Sequence, residues 1–139
     1  MANYQRVGKG GDKNMTNEQE LGKEGEQQAR IFLKNQGFEI QSPDWLGYKN
    51  GEWVCFEIKK KERFTAGGGC DFDGHGLDEK QIYLRKRLQE KTGIRTMLII
   101  FEIPTNKIFF RYLDLLEAGE KHRTKNGIVI YPLKNFLIK

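Results

Sequence analysis

The sequence predicts a mixed α/β fold, a central sheet flanked by helices, and three observations carry that expectation. A helical pattern over 16–36 gives way after Gly37 to strand-like residues. Asn50-Gly51 falls between two runs that read as strands, a strong signal for a two-residue hairpin turn. Thr96 to Ile103 is a nearly continuous apolar, β-favouring run, as expected of a strand buried on both faces.

The chain of 139 residues has the length of one domain. Residues 1–15 read as a flexible basic arm carrying Arg6, Lys9 and Lys13, and 16–139 as the folded domain. The arm is polar and glycine-bearing, unlike a signal peptide. Thr16 with Gln19 fits a capping box opening the first helix, and Gly37 fits its C-terminal stop. On a wheel of 100° per residue, Gly22, Gly25, Ala29, Phe32 and Leu33 form one packing stripe, while Glu20 and Glu24 face away. Phe38, Ile40 and Trp53 to Lys59 read as strands. Residues 64–76 (FTAGGGCDFDGHG) read as a glycine-rich loop that moves on binding or borders a cleft, with Asp71 and Asp73 in turn roles. Asp78 to Lys91 is a second helix ended by Thr92-Gly93, and Leu77, Gln81, Leu84 and Leu88 mark its core-facing stripe. Ile108 to Tyr112 returns beside 96–103 after a turn at Pro104 to Lys107. A short helix at Asp114 to Ala118 and a last strand at Ile128 to Tyr131 complete the order.

Composition narrows the function classes. Lys plus Arg number 24 against 19 Asp plus Glu, a net charge of +5 compatible with a polyanionic partner. No apolar run approaches the roughly 18–20 residues of a membrane span. Two cysteines, Cys55 and Cys70, make no disulfide framework and match no zinc spacing, which points to a reducing, cytoplasmic setting. Cys70 with His75 is half a zinc site at best.

The chemistry concentrates in VCFEIKK. Alternation puts Val54, Phe56 and Ile58 on one face, a core face, and Cys55, Glu57 and Lys59 on the other. With Asn50 and Gly51 at the centre of a two-residue turn, Lys49 pairs with Glu52, and the same register sets Asp44 directly opposite Glu57, Cβ atoms about 4.5–5.5 Å apart. Two carboxylates so placed repel unless a positive charge intervenes, either Lys59 or a divalent cation such as Mg²⁺ or Mn²⁺. An exposed hairpin with a solvated charged side is the plainer alternative, and a bulge near Gly47 shifts the register.

Pro43-Asp44 followed by Glu57-Ile58-Lys59 resembles the motif of the PD-(D/E)XK nuclease superfamily. The preceding helix, with Gly22-Lys23-Glu24-Gly25-Glu26-Gln27-Gln28-Ala29 before Phe32-Leu33 and Gly37-Phe38, is similar to the first helix of Holliday-junction-resolvase-like members. In those members a glutamate three residues before an alanine points into the metal site, and here that position is Glu26. The wheel sets Glu26 about 20° from Leu33 and 60° from Ala29, on the margin of the packing stripe, which also suits a rim carboxylate. Many such nucleases carry a glutamine at the start of the helix after the ExK strand, and Gln81 matches it. Gln81 also fits the third position of a capping box begun by Asp78. The resemblance spans roughly residues 20–103.

The resemblance implies a restriction-endonuclease-like αβββαβ core and a Mg²⁺-dependent DNA endonuclease, a Holliday junction resolvase in recombination, repair or phage DNA processing. It implies that Asp44, Glu57, the Ile58 carbonyl and Glu26 hold Mg²⁺ (or Mn²⁺), that Lys59 orients the attacking water, and that two copies work as a homodimer on branched DNA. Lys60, Lys61 and Arg63 are the expected phosphate contacts, joined by Lys80, Arg85 and Arg87 of the second helix. Arg85, Lys86 and Arg87 diverge by 100° each and do not all face one groove. A restriction-like or single-strand nuclease is the rival within the superfamily. A catalytically silent nucleic-acid-binding module is the rival outside it.

Overall fold

A computed structural model of the chain describes residues 17–41 and 46–139. The basic arm 1–15, the Thr16 cap and Asp44 with its neighbours 42, 43 and 45 lie outside those residues. Helix α1 (Asn17–Asn35) stops as its glycine requires: Gly37 sits at φ 91°, Gly37 N–H bonds the Lys34 carbonyl at 3.0 Å, and Phe38 N–H bonds that of Leu33 at 3.0 Å. The stripe is shorter than the wheel suggests. Gly25, Ala29, Phe32 and Leu33 are buried, whereas Gly22 is exposed with nothing near it, because the helix overhangs the sheet there.

Three antiparallel strands follow, β1 (Glu39–Gln41), β2 (Leu46–Lys49) and β3 (Glu52–Lys61). Asn50 at φ 51° and Gly51 at φ 81° form the expected two-residue turn, and the register runs from Lys49↔Glu52 to Leu46↔Cys55 without a bulge. The glycine-rich segment is shorter than the sequence implies. Gly74–Asp78 forms strand β4, because Gly-His-Gly offers a backbone that can lie against β8 (Ile128–Pro132) where no side chain fits. Helix α2 (Glu79–Thr92) is capped by Asp78, whose carboxylate accepts from Lys80 N–H at 2.9 Å, and ends at Gly93.

The chain then returns as β5 (Arg95–Glu102), parallel to β3 from Val54↔Arg95 to Lys61↔Glu102, and turns into β6 (Ile108–Tyr112) and helix α3 (Leu113–Ala118). Strand β7 (His122–Arg123) joins β4 and β8 in a three-stranded sheet. Beyond the expected last strand, a 3₁₀ turn leads to β9 (Leu137–Ile138), which pairs with β6 and closes the six-stranded order β1-β2-β3-β5-β6-β9. The result is one mixed α/β domain in which helix, three strands, helix and parallel strand succeed one another, with β4 inserted ahead of α2.

Strand β5 lies at the centre. Ile99 and Phe101 pack with Val54, Phe56, Ala29, Phe32 and Leu33 under α1. Leu98 and Ile100 face the other way, into a cluster with Ile82, Leu113, Leu116, Val129 and Tyr131. The expected Leu84 stripe of α2 is corrected here: Leu84 is exposed, and the buried face instead runs through Ile82, with Arg85 and Gln89 half-buried. Arg85 and Gln89 hydrogen-bond acidic partners, Glu57 and Asp114, so polar residues take the inward positions and leave Leu84 outside.

A methyl group at Gly76 would meet the Val129 carbonyl and lie 3.0 Å from Ile130 Cα, whereas at Gly22 it meets nothing within 4 Å. Gly76→Ala is therefore expected to lower the unfolding free energy by about 1–3 kcal/mol. Gly22→Ala, in an exposed helical position, is expected to raise it by about 0.5–1 kcal/mol. Urea denaturation of both variants checks the pair.

Candidate functional site

Strand β3 divides its charged residues between two faces. Lys60 points towards α1, where its ammonium donates to Gln28 Oε1 at 2.7 Å and pairs with Glu24 at 3.3 Å, over the buried Gly25. Glu24 comes from the side of α1 that the wheel turned away from the core, and Gln28 from the flank of the packing stripe. Lys60 thus fastens a helix and is withdrawn from the expected phosphate contacts.

Cys55, Glu57, Lys59 and Lys61 lie on the other face, in register with Thr96, Leu98, Ile100 and Glu102 of β5. Burial pushes the Cys55 thiol above its ordinary pKa. Beside the first turn of α2 this face opens into a groove of about 520 Å³, lined by Lys59, Lys61, Phe64, Asp78, Lys80 and Gln81. Three ammonium groups against one carboxylate make it a positive trough. The Lys61 ammonium sits 3.8 Å above the Phe64 ring, and burial together with the neighbouring Lys59 charge lowers its pKa. Gln81, expected as either a site residue or half of a capping box, is half-buried in the groove, and the Asp78 cap goes to Lys80 N–H instead.

Glu57 is 9% exposed. Its Oε1 accepts from Arg85 Nε at 2.8 Å and also from Arg85 Nη2, so both guanidinium contacts fall on one oxygen. Arg85, expected on DNA, is paired with Glu57 in the structure: a carboxylate so deep in the sheet requires a cation, and α2 supplies it. The expected Asp44 partner lies outside the described residues. Glu26 is exposed on α1, the helix covering the opposite face, and does not line the groove. Ile58 lies between Glu57 and Lys59 in β3. Among the described residues no three His, Cys, Asp or Glu side chains gather to hold a metal. The chemistry of the donor present still fits a hard cation: Glu57 has a second oxygen that Arg85 leaves untouched, on the face shared with Lys59.

Arg63 and Arg87, also expected on DNA, make contacts within the protein. Arg63 grips Glu102 with Nε at 3.0 Å and Nη2 at 2.8 Å, and Asp73 lies 3.7 Å away. Arg87 lies over Tyr83 on the exposed side of α2, donating to its hydroxyl at 3.2 Å. Lys86 goes to Glu117 at 2.8 Å, so the three consecutive basic residues of α2 diverge as expected.

Sequence reasoning missed the cluster around Glu102. This carboxylate is 1% exposed at the end of β5 and also accepts from the Thr105 hydroxyl and meets His75 Nε2, each at 2.7 Å. His75 is fully buried beside Phe109 and Phe136, and its Nδ1 has no hydrogen-bond partner among the described residues. The signal was present: a lone carboxylate closing an apolar run needs a cation, and Arg63 stands where β3 ends. The cluster ties the glycine-rich segment to the sheet, with Asp73 also accepting from Ala66 N–H at 2.8 Å. Cys70 and His75 are not a zinc pair; the Cys70 thiol donates to the Phe72 carbonyl and His75 is taken by Glu102.

No protein-family model matches this chain, and no curated protein matches it. No helix among the described residues is long and apolar enough to cross a membrane.

Burial alone would raise the Glu102 carboxyl, but hydrogen bonds from Arg63, Thr105 and His75 hold its pKa at about 2, below the ordinary 4.5. Its stabilisation is present above pH 4.5 and is lost as pH falls towards 2. Burial depresses the His75 pKa below 6.5 despite Glu102, so acidification below that value also favours the unfolded chain. Thermal unfolding across this range is expected to show two losses, the lower of which Glu102→Gln removes. Glu102→Gln itself is expected to cost about 1–3 kcal/mol at pH 7, since it removes the buried carboxylate's charge-assisted bonds and leaves Arg63 only the longer Asp73 contact.

Proposed function

We propose that this chain is a metal-dependent nuclease that hydrolyses DNA phosphodiesters, with branched DNA as its substrate and a homodimer as its working form. The observation that carries the reading is the placement of Glu57 and Lys59 on one sheet face that opens into a trough lined by Lys61, Lys80 and Gln81. The branched substrate and the homodimer rest on the resemblance to Holliday-junction-resolvase-like proteins.

In this reading Glu57 and the Ile58 carbonyl would hold Mg²⁺ with Asp44, whereas Glu26, on the helix over the opposite face, has no part. Bound Mg²⁺ supplies a water of lowered pKa and neutralises charge on the scissile phosphate. Lys61 and Lys80 hold flanking phosphates as point charges, and Gln81 orients a phosphate oxygen or water with its amide. Lys59 donates hydrogen bonds to the attacking water and to the phosphoryl oxygens as negative charge grows on them. Lys60, Arg63 and Arg87 have no part, because other protein groups engage them.

The Arg85–Glu57 pair favours a second reading, a catalytically silent nucleic-acid-binding module, since Glu57 already has a cation. Incubation of a synthetic four-way junction, a linear duplex and a single strand with Mg²⁺ or EDTA separates the two. Mg²⁺-dependent cleavage, strongest on the junction, supports the nuclease; metal-independent binding with every substrate intact supports the silent module. Preference for duplex or single strand would instead favour the restriction-like or single-strand rival. Glu57→Gln and Lys59→Ala are each expected to lower cleavage at least about 10²-fold while retaining binding. Lys61→Ala is expected to reduce the salt dependence of binding by about one phosphate contact, and Lys60→Ala to leave it unchanged.

A further inference from the structure

The face of β3 that carries Lys59 and Lys61 does not end at Glu57. Back towards the hairpin turn it goes on to Cys55 and Trp53, because alternate residues of a strand share a face. Trp53 is paired across the ladder with Tyr48, the ring centroids 5.2 Å apart and the planes at 60°. Trp53 is 44% and Tyr48 37% exposed, so two large π surfaces stand in solvent at the turn end of the strand. A cross-strand aromatic contact steadies a hairpin. The same contact holds both rings in place before any ligand arrives.

The charges on this face favour one kind of ligand. Among the described residues of β2 and β3, the face carries two ammonium groups, Lys59 and Lys61, and a single carboxylate, Glu57, whose charge Arg85 offsets. Lys49 and Glu52, which flank the turn, stand on the opposite face with Val54. Lys80 adds a third cation across the groove. Trp53 and Lys59 lie about 20 Å apart along the strand, at about 3.3 Å per residue, a span that a short oligonucleotide covers. Aromatic faces at one end and flexible cations at the other are the combination that holds unpaired nucleotides, whose bases stack while their phosphates take the charge. A protein partner seated on the two rings alone would owe nothing to the lysines.

We propose that Tyr48 and Trp53 form a stacking subsite for an unpaired base, on a strand whose phosphates run along β3 to the lysines of the groove. This rests on the reading of the groove as a nucleic-acid site, and on neither cleavage nor a bound metal. It adds to that reading the feature recognised, a base released from pairing, as at a branch point or a frayed end.

The test measures binding in EDTA, so that cleavage and metal play no part. The labelled probes are a short oligo-deoxythymidine strand, an abasic strand of the same length and a synthetic four-way junction. Wild type, Trp53→Ala, Tyr48→Ala, Trp53→Phe and Lys61→Ala are compared, with circular dichroism to confirm folding. Wild type is expected to bind the thymidine strand at least about fivefold more tightly than the abasic strand. Trp53→Ala and Tyr48→Ala are expected to erase that preference, Trp53→Phe to keep most of it, and Lys61→Ala to weaken both strands equally. Equal binding of the two strands by wild type, or a folded Trp53→Ala that keeps the full preference, overturns the subsite, while a loss in Lys61→Ala leaves the groove a phosphate site. Wild-type binding of the junction but of neither strand also overturns the subsite alone. Binding of none of the three probes overturns the subsite and the nucleic-acid reading together. If the alanine variants do not fold, tryptophan fluorescence decides. Quenching by the thymidine strand that Trp53→Phe abolishes supports stacking; quenching that Trp53→Phe retains, or none at saturation, overturns it.

Discussion

The constraint on which this structure depends is that one face of its two central strands is charged. Lys59, Lys61, Glu57 and Glu102 all stand on the side of β3 and β5 that the fold covers with α2, α3 and the second sheet. An α/β core normally fills that layer with aliphatic side chains, and here Leu98 and Ile100 supply only its middle. The covering elements therefore bring counter-charges to these groups as well as the hydrocarbon of Ile82, Leu113, Leu116, Val129 and Tyr131 that meets Leu98 and Ile100. That requirement explains why α2 turns Arg85 and Gln89 inward and leaves Leu84 in solvent, and why the segment leaving β3 begins with an arginine directed back at β5.

The two buried carboxylates are resolved differently. Glu102 is enclosed by Arg63, Thr105 and His75, and all three belong to the fold. Nothing exchangeable is needed there, so the cluster reads as a clamp that secures the loop to the sheet. Among the described residues Glu57 has one cationic partner, Arg85, which touches one of its oxygens, and its neighbours along the strand open onto the lysine groove. Burial alone does not distinguish a structural carboxylate from a functional one. What distinguishes them is whether its oxygens are fully claimed from within.

Much of this was legible in the sequence because it follows from local periodicity. Asn50-Gly51 fixed the hairpin, and the alternation of VCFEIKK assigned Cys55, Glu57 and Lys59 to one face and Val54 and Phe56 to the other, as observed. The apolar run of β5 gave away its two-sided burial. What periodicity does not carry is the choice of partner across the fold. Arg63, Arg85 and Lys60 are alike in sequence, three cations near a basic strand, yet each is committed to a carboxylate or amide on a different element, at separations of 39, 28 and 32 residues. Strand β4 was hidden for another reason: Gly-His-Gly has no strand propensity, and only the close approach of β8 makes it one.

This division of the cations bears on what kind of nucleic-acid contact the groove can make. The positions expected to recognise DNA included three arginines, whose planar forks suit bidentate contact with phosphates and guanine edges. Arg63 and Arg85 spend those forks on Glu102 and Glu57, and Arg87 lies over Tyr83. Lys59, Lys61 and Lys80 remain to line the groove, each a compact charge on a flexible stem. Such groups attract a phosphate backbone without favouring one base over another. On the proposed reading, a groove built this way would respond to where phosphates lie in space, and selectivity would come from the shape of the nucleic acid.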